Sequence, residues 1–260
     1  MSDGRAVAQT HGSAPGRNAD RDVTVPGFRN LRDVGGYPLL GGGTTAPGRL
    51  LRGDFPAPAS AETLDGLRRV PIGLVIDLRG DEETTADPSP FPGWGIAVHA
   101  EPLFEGSASS FVAQRFSIEQ MYAHLVQHSG AALARVARAV ATTDTVGATL
   151  VHCTAGKDRT GIAVALILSA IGVDRRHVVA DYADTERHYD QAWRRERIAA
   201  LQQHHVVDLT DVIDLLATSP APAMAAVLDR IDARWGSPEG YLRAHGLRDE
   251  ELGGLRDRLT

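Results

Sequence analysis

The sequence predicts an α/β fold with a central, mostly parallel sheet flanked by helices. Three observations carry that reading. Residues 72–79 (IGLVIDLR) and 147–153 (GATLVHC) are dense apolar runs of strand length, as expected for strands buried on both faces. Segments of helical period alternate with them, the arrangement that covers a sheet on both sides. The chain after residue 174 is almost wholly helical, more than a minimal covering layer needs, so residues 185–235 are expected to include a lid over the site.

Taken in order, residues 1–22 are rich in Gly, Ser, Ala, Arg and Asp without period and read as a disordered leader, leaving 23–260 as a single domain. Order is expected from near Val25, in VPGFRNLRDVGG. The next stretch, LLGGGTTAPGRLLRGD, holds a short strand over 49–52, with its glycines in a hairpin or loop. Ser60 is placed to cap a helix through Arg69. Strand 72–79 is followed by DEETTADPSPFPGWG, polar and proline-rich, hence a loop. A short strand is expected over 96–99 and a mobile loop or irregular helix start over 104–117. Helices follow over 118–127 and 131–141, then strand 147–153. The apolar helix 160–172 ends at Gly172. Asp174 caps the next helix, and DLTDVIDLLATS, PAMAAVLDRIDARW, PEGYLRAHG and DEELGGLRDRL supply the rest. No internal repeat is visible.

Composition excludes several classes. Of the 27 basic residues one is Lys, Lys157, and the chain has one Cys, Cys153. One thiol closes no intrachain disulfide and holds no cysteine-ligated zinc or iron–sulfur centre. No apolar run reaches membrane-spanning length, and no secretory signal is recognisable. A net charge of -6 without basic tracts argues against nucleic acid as a partner. His124 and His128, four residues apart on a helix, lack the HExxH pattern and read as surface or packing residues rather than a metal site.

The sole thiol and the sole ammonium fall in one string, LVHCTAGKDRTG, residues 150–161, between a buried strand and a buried helix. The spacing has a physical logic. A short loop entering a helix points several backbone N–H groups at one spot, and the helix N-terminus favours an anion there. Cys153, Thr154, Ala155, Gly156, Lys157, Asp158 and Arg159 would form this phosphate-binding loop. Arg159 offers a planar fork to two phosphoryl oxygens. Cys153, its thiolate favoured by the same donors, would attack phosphorus in line. The Thr160 hydroxyl would stabilise the thiolate, and His152 would order the loop through its ring nitrogens. An ATP-binding loop is excluded, because Gly156-Lys157 is followed by Asp158 where that motif needs Ser or Thr.

This string resembles the signature of the cysteine-dependent protein tyrosine phosphatase superfamily, in the atypical bacterial branch with HCxxGKDRTG that includes secreted mycobacterial and listerial enzymes. FRNLRDVGG at 28–36, GRLLRGD at 48–54, VIDLRGDEE at 75–83 and GSPEGYLRAHGL at 236–247 extend the resemblance over about residues 25–250. It implies a phosphatase-type sheet, a phosphotyrosine hydrolase with no metal or cofactor, and in some members activity on phosphoserine, phosphothreonine or phosphoinositides. In related enzymes the lysine at the position of Lys157 is associated with phosphoinositide or doubly charged substrates. By itself Lys157 reads as a point charge at the rim.

The leaving oxygen needs a proton. Other members take it from an Asp on a separate loop before the Cys, but no Asp lies between 88 and 143 here. Asp158 is the first candidate, since a bound dianion favours its protonated form. Asp77 and Asp81, at and beyond a strand end, remain open; Asp77 reads otherwise as a structural partner of Arg79 or Arg159, and Asp81 and Glu82 as a solvated loop. Arg32 and Asp33 read as a structural ion pair and turn, and Arg52 and Asp54 likewise. Expected partners are a phosphorylated protein or a phosphoinositide, with the chain a monomer. The expected compartment is the cytoplasm, secretion without a visible signal being the alternative. A non-catalytic phosphate-binding module and a sulfurtransferase are the competing classes.

Overall fold

The computed structural model describes residues 21–103, 116–190, 193, 195 and 218–260. Its strands are β1 (Arg32–Asp33), β2 (Leu50–Gly53), β3 (Ile72–Asp77), β4 (Ala97–Ala100) and β5 (Ala148–His152). They form one sheet in the order β1-β2-β5-β3-β4. Only the β1–β2 pair is antiparallel. β2 pairs with β5, β5 with β3 and β3 with β4 in parallel. The central strand, β5, is buried along its whole length.

Alternation along the strands divides the apolar side chains between two layers. Leu50, Ile76 and Val151 face a large core, while Leu51, Val75 and Leu150 face a smaller one closed by Val25, Leu31, Leu67 and Phe91. The helices are α1 (Ala61–Leu67), α2 (Asp81–Ala86), α3 (Ile118–His128), α4 (Gly130–Thr142), α5 (Asp158–Ala170), α6 (Arg175–Ala183), α7 (Ala221–Trp235), α8 (Pro238–Ala244) and α9 (Asp249–Leu259). α5 is apolar around its circumference because it sits inside the larger layer, touching α3, α4, α6, α8 and the sheet. Each Leu or Ile buried there contributes about 1.5–3 kcal/mol.

Caps set several boundaries. The side chains of Ser60, Ser117, Asp174 and Ser237 accept backbone N–H groups at the starts of α1, α3, α6 and α8. Gly172, with φ +92°, follows the end of α5.

Four expectations need correction. Residues 81–95 are not all loop: Asp81–Ala86 is α2, with three carboxylates in its first turn where the helix dipole favours them, and Phe91–Trp94 is a 3₁₀ turn. Residues 21 and 22 pack with the rest of the chain: the Arg21 guanidinium lies over the Tyr37 ring, and Asp22 forms a β-bridge with Arg32. Arg32 does not pair with Asp33; it reaches Asp181, while Asp33 accepts the amides of Gly35 and Gly48. Residues 221–235 are core rather than lid, because α7 buries Ala223, Met224, Val227, Leu228 and Ile231 against α3, α6 and α8. The remainder of the expected lid, apart from 185–190, 193, 195 and 218–220, lies outside the described residues, as do residues 1–20 and 104–115. Among the described residues no helix is long and apolar enough to cross a membrane.

Candidate active site

The 153–157 loop leaves the C-terminal end of β5, at the centre of the parallel part of the sheet, and enters α5 at Asp158. Donors from outside the loop take its backbone carbonyls. The Phe55 amide donates to Thr154 O at 3.1 Å. Asn30 Nδ2 donates to Ala155 O at 3.2 Å and Gly156 O at 3.1 Å. Arg52 Nη2 donates to Gly156 O at 2.9 Å, and the Tyr189 hydroxyl donates to Ala155 O. Three successive carbonyls of the loop are thus held from outside, an arrangement compatible with an anion nest on its other side.

Gly156 is required twice over. Its φ is +63°, and a Cβ there would lie 2.3 Å from Gly53 O. The loop can therefore press against β2.

The donors are themselves anchored. Arg52 Nη1 lies 2.5 Å from Asp181 Oδ2, and Arg32 Nε lies 3.4 Å from Asp181 Oδ1. Tyr37 Oη donates to the same carboxylate at 3.0 Å. Arg32 Nη2 also donates to Thr185 Oγ1 at 2.9 Å. All these side chains are buried. Burial works to raise Asp181, but Arg52 and then Arg32 outweigh it and hold the carboxyl below its ordinary value. Asp54 accepts the Arg29 and Asn30 amides, which fixes the turn that presents Asn30; burial nonetheless pushes Asp54 up to about 6.

Cys153 is buried at the base of the loop. Arg159, one residue into α5, is 5% exposed and does not stand as an open fork. Its Nη1 and Nη2 donate to Glu83 Oε2 and Oε1 at 2.5 and 2.8 Å, and Glu83 also accepts the Thr154 hydroxyl. Burial acts to raise Glu83, but Arg159, Thr154 and the Gly80 amide prevail and bring it down to about 2. Burial likewise opposes the Arg159 charge, and Glu83 followed by Cys153 more than restores it. Glu83 is not among the candidates the sequence offers, because residues 81–95 read as loop while Glu83 sits in the first turn of α2. Its usable signal was the acidic triplet at a strand end, which marks a helix N-terminus.

Asp158 opens α5. Its Oδ1 accepts the Tyr122 hydroxyl at 2.6 Å and lies 3.3 Å from Lys157 Nζ. Its side chain is 23% exposed, against 3% for Asp77. Asp77 holds Arg79 through both oxygens, at 3.0 and 2.8 Å, the structural pairing considered above. Asp81 is the exposed first residue of α2. Lys157 is not a rim residue: it is 1% exposed and donates to Thr218 O at 2.9 Å. His152 Nδ1 donates to Cys153 O at 3.2 Å, and burial keeps this imidazole below its ordinary pKa, hence neutral. Among the described residues its Nε2 makes no hydrogen bond and lies 3.8 Å from Asp77 Oδ2. The Thr160 hydroxyl is buried and has no hydrogen-bond partner among the described residues.

His124 and His128 stack on each other with ring centroids 4.4 Å apart. The Tyr241 hydroxyl, from the block at 236–247, donates to Val126 O at 2.7 Å and braces α8 against α3.

Such a site can hold a tetrahedral oxyanion against a thiol, beside a carboxyl able to exchange protons. Comparison with known proteins agrees. A family model described as "Tyrosine phosphatase family" matches residues 23–260. A provisionally named tyrosine-protein phosphatase of Cupriavidus necator is 34% identical over 234 residues, covering 85% of this chain and 83% of its own. The triple specificity protein phosphatase PtpB of Mycobacterium tuberculosis is 30% identical over 280 residues, covering 90% of this chain and 98% of its own. A tyrosine-protein phosphatase of Nostoc commune is 30% identical over 148 residues, covering 55% and 49%.

Proposed function

Because this chain belongs to the tyrosine phosphatase family, we propose that it hydrolyses phosphotyrosine in proteins through a cysteinyl-phosphate on Cys153, and accepts phosphoserine and phosphothreonine as well. The supporting observation is the loop whose carbonyls at Thr154, Ala155 and Gly156 are all held from outside. That arrangement supports a loop whose backbone amides receive phosphoryl oxygens around the Cys153 sulfur. The name of the mycobacterial relative, triple specificity protein phosphatase, supports the wider substrate range.

In the first step the Cys153 sulfur forms a bond to phosphorus as the bond to the leaving oxygen breaks. Asp158 gives that oxygen its proton. In the second step water attacks phosphorus, the S–P bond breaks, and Asp158 takes the proton from water. The loop amides and Arg159 hold the equatorial oxygens through both steps. Asp77 is a weaker candidate for the proton because Arg79 occupies both of its oxygens. A thiolate nucleophile favours a reducing compartment, and we place the activity in the cytoplasm.

The test is Cys153→Ser assayed with para-nitrophenyl phosphate and phosphotyrosine peptides. The variant is expected to lose turnover while still binding the phosphate ester. Retained binding together with full turnover would remove Cys153 from the chemistry.

A further inference from the structure

Tyr122 and Tyr182 belong to neither the loop nor its outer brace, yet they lie directly behind Asp158. Tyr122, from α3, places its hydroxyl 2.6 Å from Asp158 Oδ1 and 2.6 Å from the Tyr182 hydroxyl of α6. Both residues are fully buried, and their rings meet edge to face. Gly161 permits this approach, since a Cβ there would lie 2.9 Å from Tyr182 Cδ2. A carboxylate only accepts, so the one proton of the Tyr122 hydroxyl goes to Asp158. The proton between the two phenols is then given by Tyr182. Burial first, then the Asp158 charge, holds both phenols well above their ordinary range, so neither loses its proton in the working pH range.

We propose that Tyr122, backed by Tyr182, is a positioning residue for the proton transfers of Asp158: it occupies Oδ1 and leaves Oδ2 to exchange protons with the leaving oxygen and with water. This rests on the assignment of the proton transfers to Asp158. In the first step the proton on Oδ2 passes to the leaving oxygen as the S–P bond forms. In the second, the proton of the attacking water returns to Oδ2 as the S–P bond breaks. The Tyr122 hydroxyl stays on Oδ1 throughout. The other groups facing Asp158 are Lys157 at 3.3 Å and Arg159, the next residue, with Glu83 across Arg159 and Arg52 beside Tyr182. These charged groups surround the carboxyl, but the 2.6 Å hydrogen bond to it comes from Tyr122.

The experiment is the pH profile of kcat/KM for an alkyl phosphate, whose poor leaving group depends on the acid. It compares the unaltered protein, Asp158→Asn, Tyr122→Phe, Tyr182→Phe, and Tyr122→Phe combined with Asp158→Asn. Rate falls on the basic limb as the acid loses its proton. Removing a donor from the carboxylate disfavours the ionised form, so Tyr122→Phe is expected to move that limb upward by about one pH unit. Tyr182→Phe should move it the same way by less, and keeps the test open if Tyr122→Phe does not fold. In the Asp158→Asn background Tyr122→Phe should leave the shape of the profile unchanged. A limb that needs Asp158 but stays in place in both Phe variants overturns the positioning role alone. A limb that survives Asp158→Asn overturns the assignment to Asp158, and this inference with it.

Discussion

At the scale of single residues, the site is a set of charges with prescribed partners. Arg159 is oriented by Glu83 before any substrate arrives, so its fork is pre-set rather than searched for. Arg159→Ala should cost about 3–4 kcal/mol of transition-state stabilisation, read as kcat on para-nitrophenyl phosphate. Glu83→Gln keeps the shape but halves the grip, and kcat/KM should fall on the order of 10-fold with the fold intact by circular dichroism. An unchanged rate would make Glu83 only a cap for α2. Asp158→Asn should damage alkyl phosphate turnover more than aryl phosphate turnover, because a phenolate leaves without much help; equal losses would argue against the acid role. Cys153, Arg159 and Asp158, to which we assign the chemistry, were legible as candidates in the sequence because they lie close together along the chain. Glu83, Tyr122 and Asp181 were not, because they reach this site from 70, 31 and 28 residues away, separations of roughly those sizes being bridged only by the fold.

At the scale of elements, the N-terminal blocks act as an outer clamp on the loop. FRNLRD supplies Asn30 and Arg32, LLRGD supplies Arg52 and Asp54, and α6 supplies Asp181, which joins the two arginines. Arg32 and Arg52 face each other across β1–β2, and Asp181 is the anion that makes their burial tolerable. Asp181→Asn leaves two buried guanidiniums short of charge, and should cost about 3–5 kcal/mol in urea unfolding. Asn30→Ala removes donors to two loop carbonyls, and vanadate affinity should fall while the unfolding midpoint moves little. Equal vanadate affinity would mean that the loop holds its shape without the clamp. Strands β3 and β5 were readable because burial on both faces gives continuous apolar runs, and Ser60 and Asp174 mark their helices plainly. α2 was misread because its six residues, DEETTA, carry no apolar stripe and none of its residues is buried; dipole and capping contacts hold it instead.

At the scale of the whole molecule, acid stability should follow the carboxylates held down by arginine. Glu83 and Glu251 each sit at about 2 in the folded chain; burial works to raise them, and Arg159 for Glu83 and Arg248 with Arg138 for Glu251 outweigh it. Groups depressed in this way stabilise the fold above their unfolded pKa, about 4.3 for Glu. That stabilisation is lost as pH falls from about 4.5 through about 2. Thermal midpoints should therefore drop steeply across this window. Glu251→Gln should lower stability near neutral pH and make the acid decline shallower, and an unchanged slope would contradict the assignment. The same electrostatics links the two ends of the chain to the centre. α9 is tied to α4 through Glu251 and Arg138, while the N-terminal blocks close on the loop.

All of this depends on the Cys153 sulfur receiving the phosphoryl group, and a single measurement tests that directly. The protein is quenched in acid during turnover of an aryl phosphate and its peptides are mapped for covalent phosphate. The account predicts one phosphoryl group on the peptide carrying Cys153, accumulating further in Asp158→Asn, where the second step lacks its base. Covalent phosphate on any other side chain, with Cys153 unmodified, would contradict it.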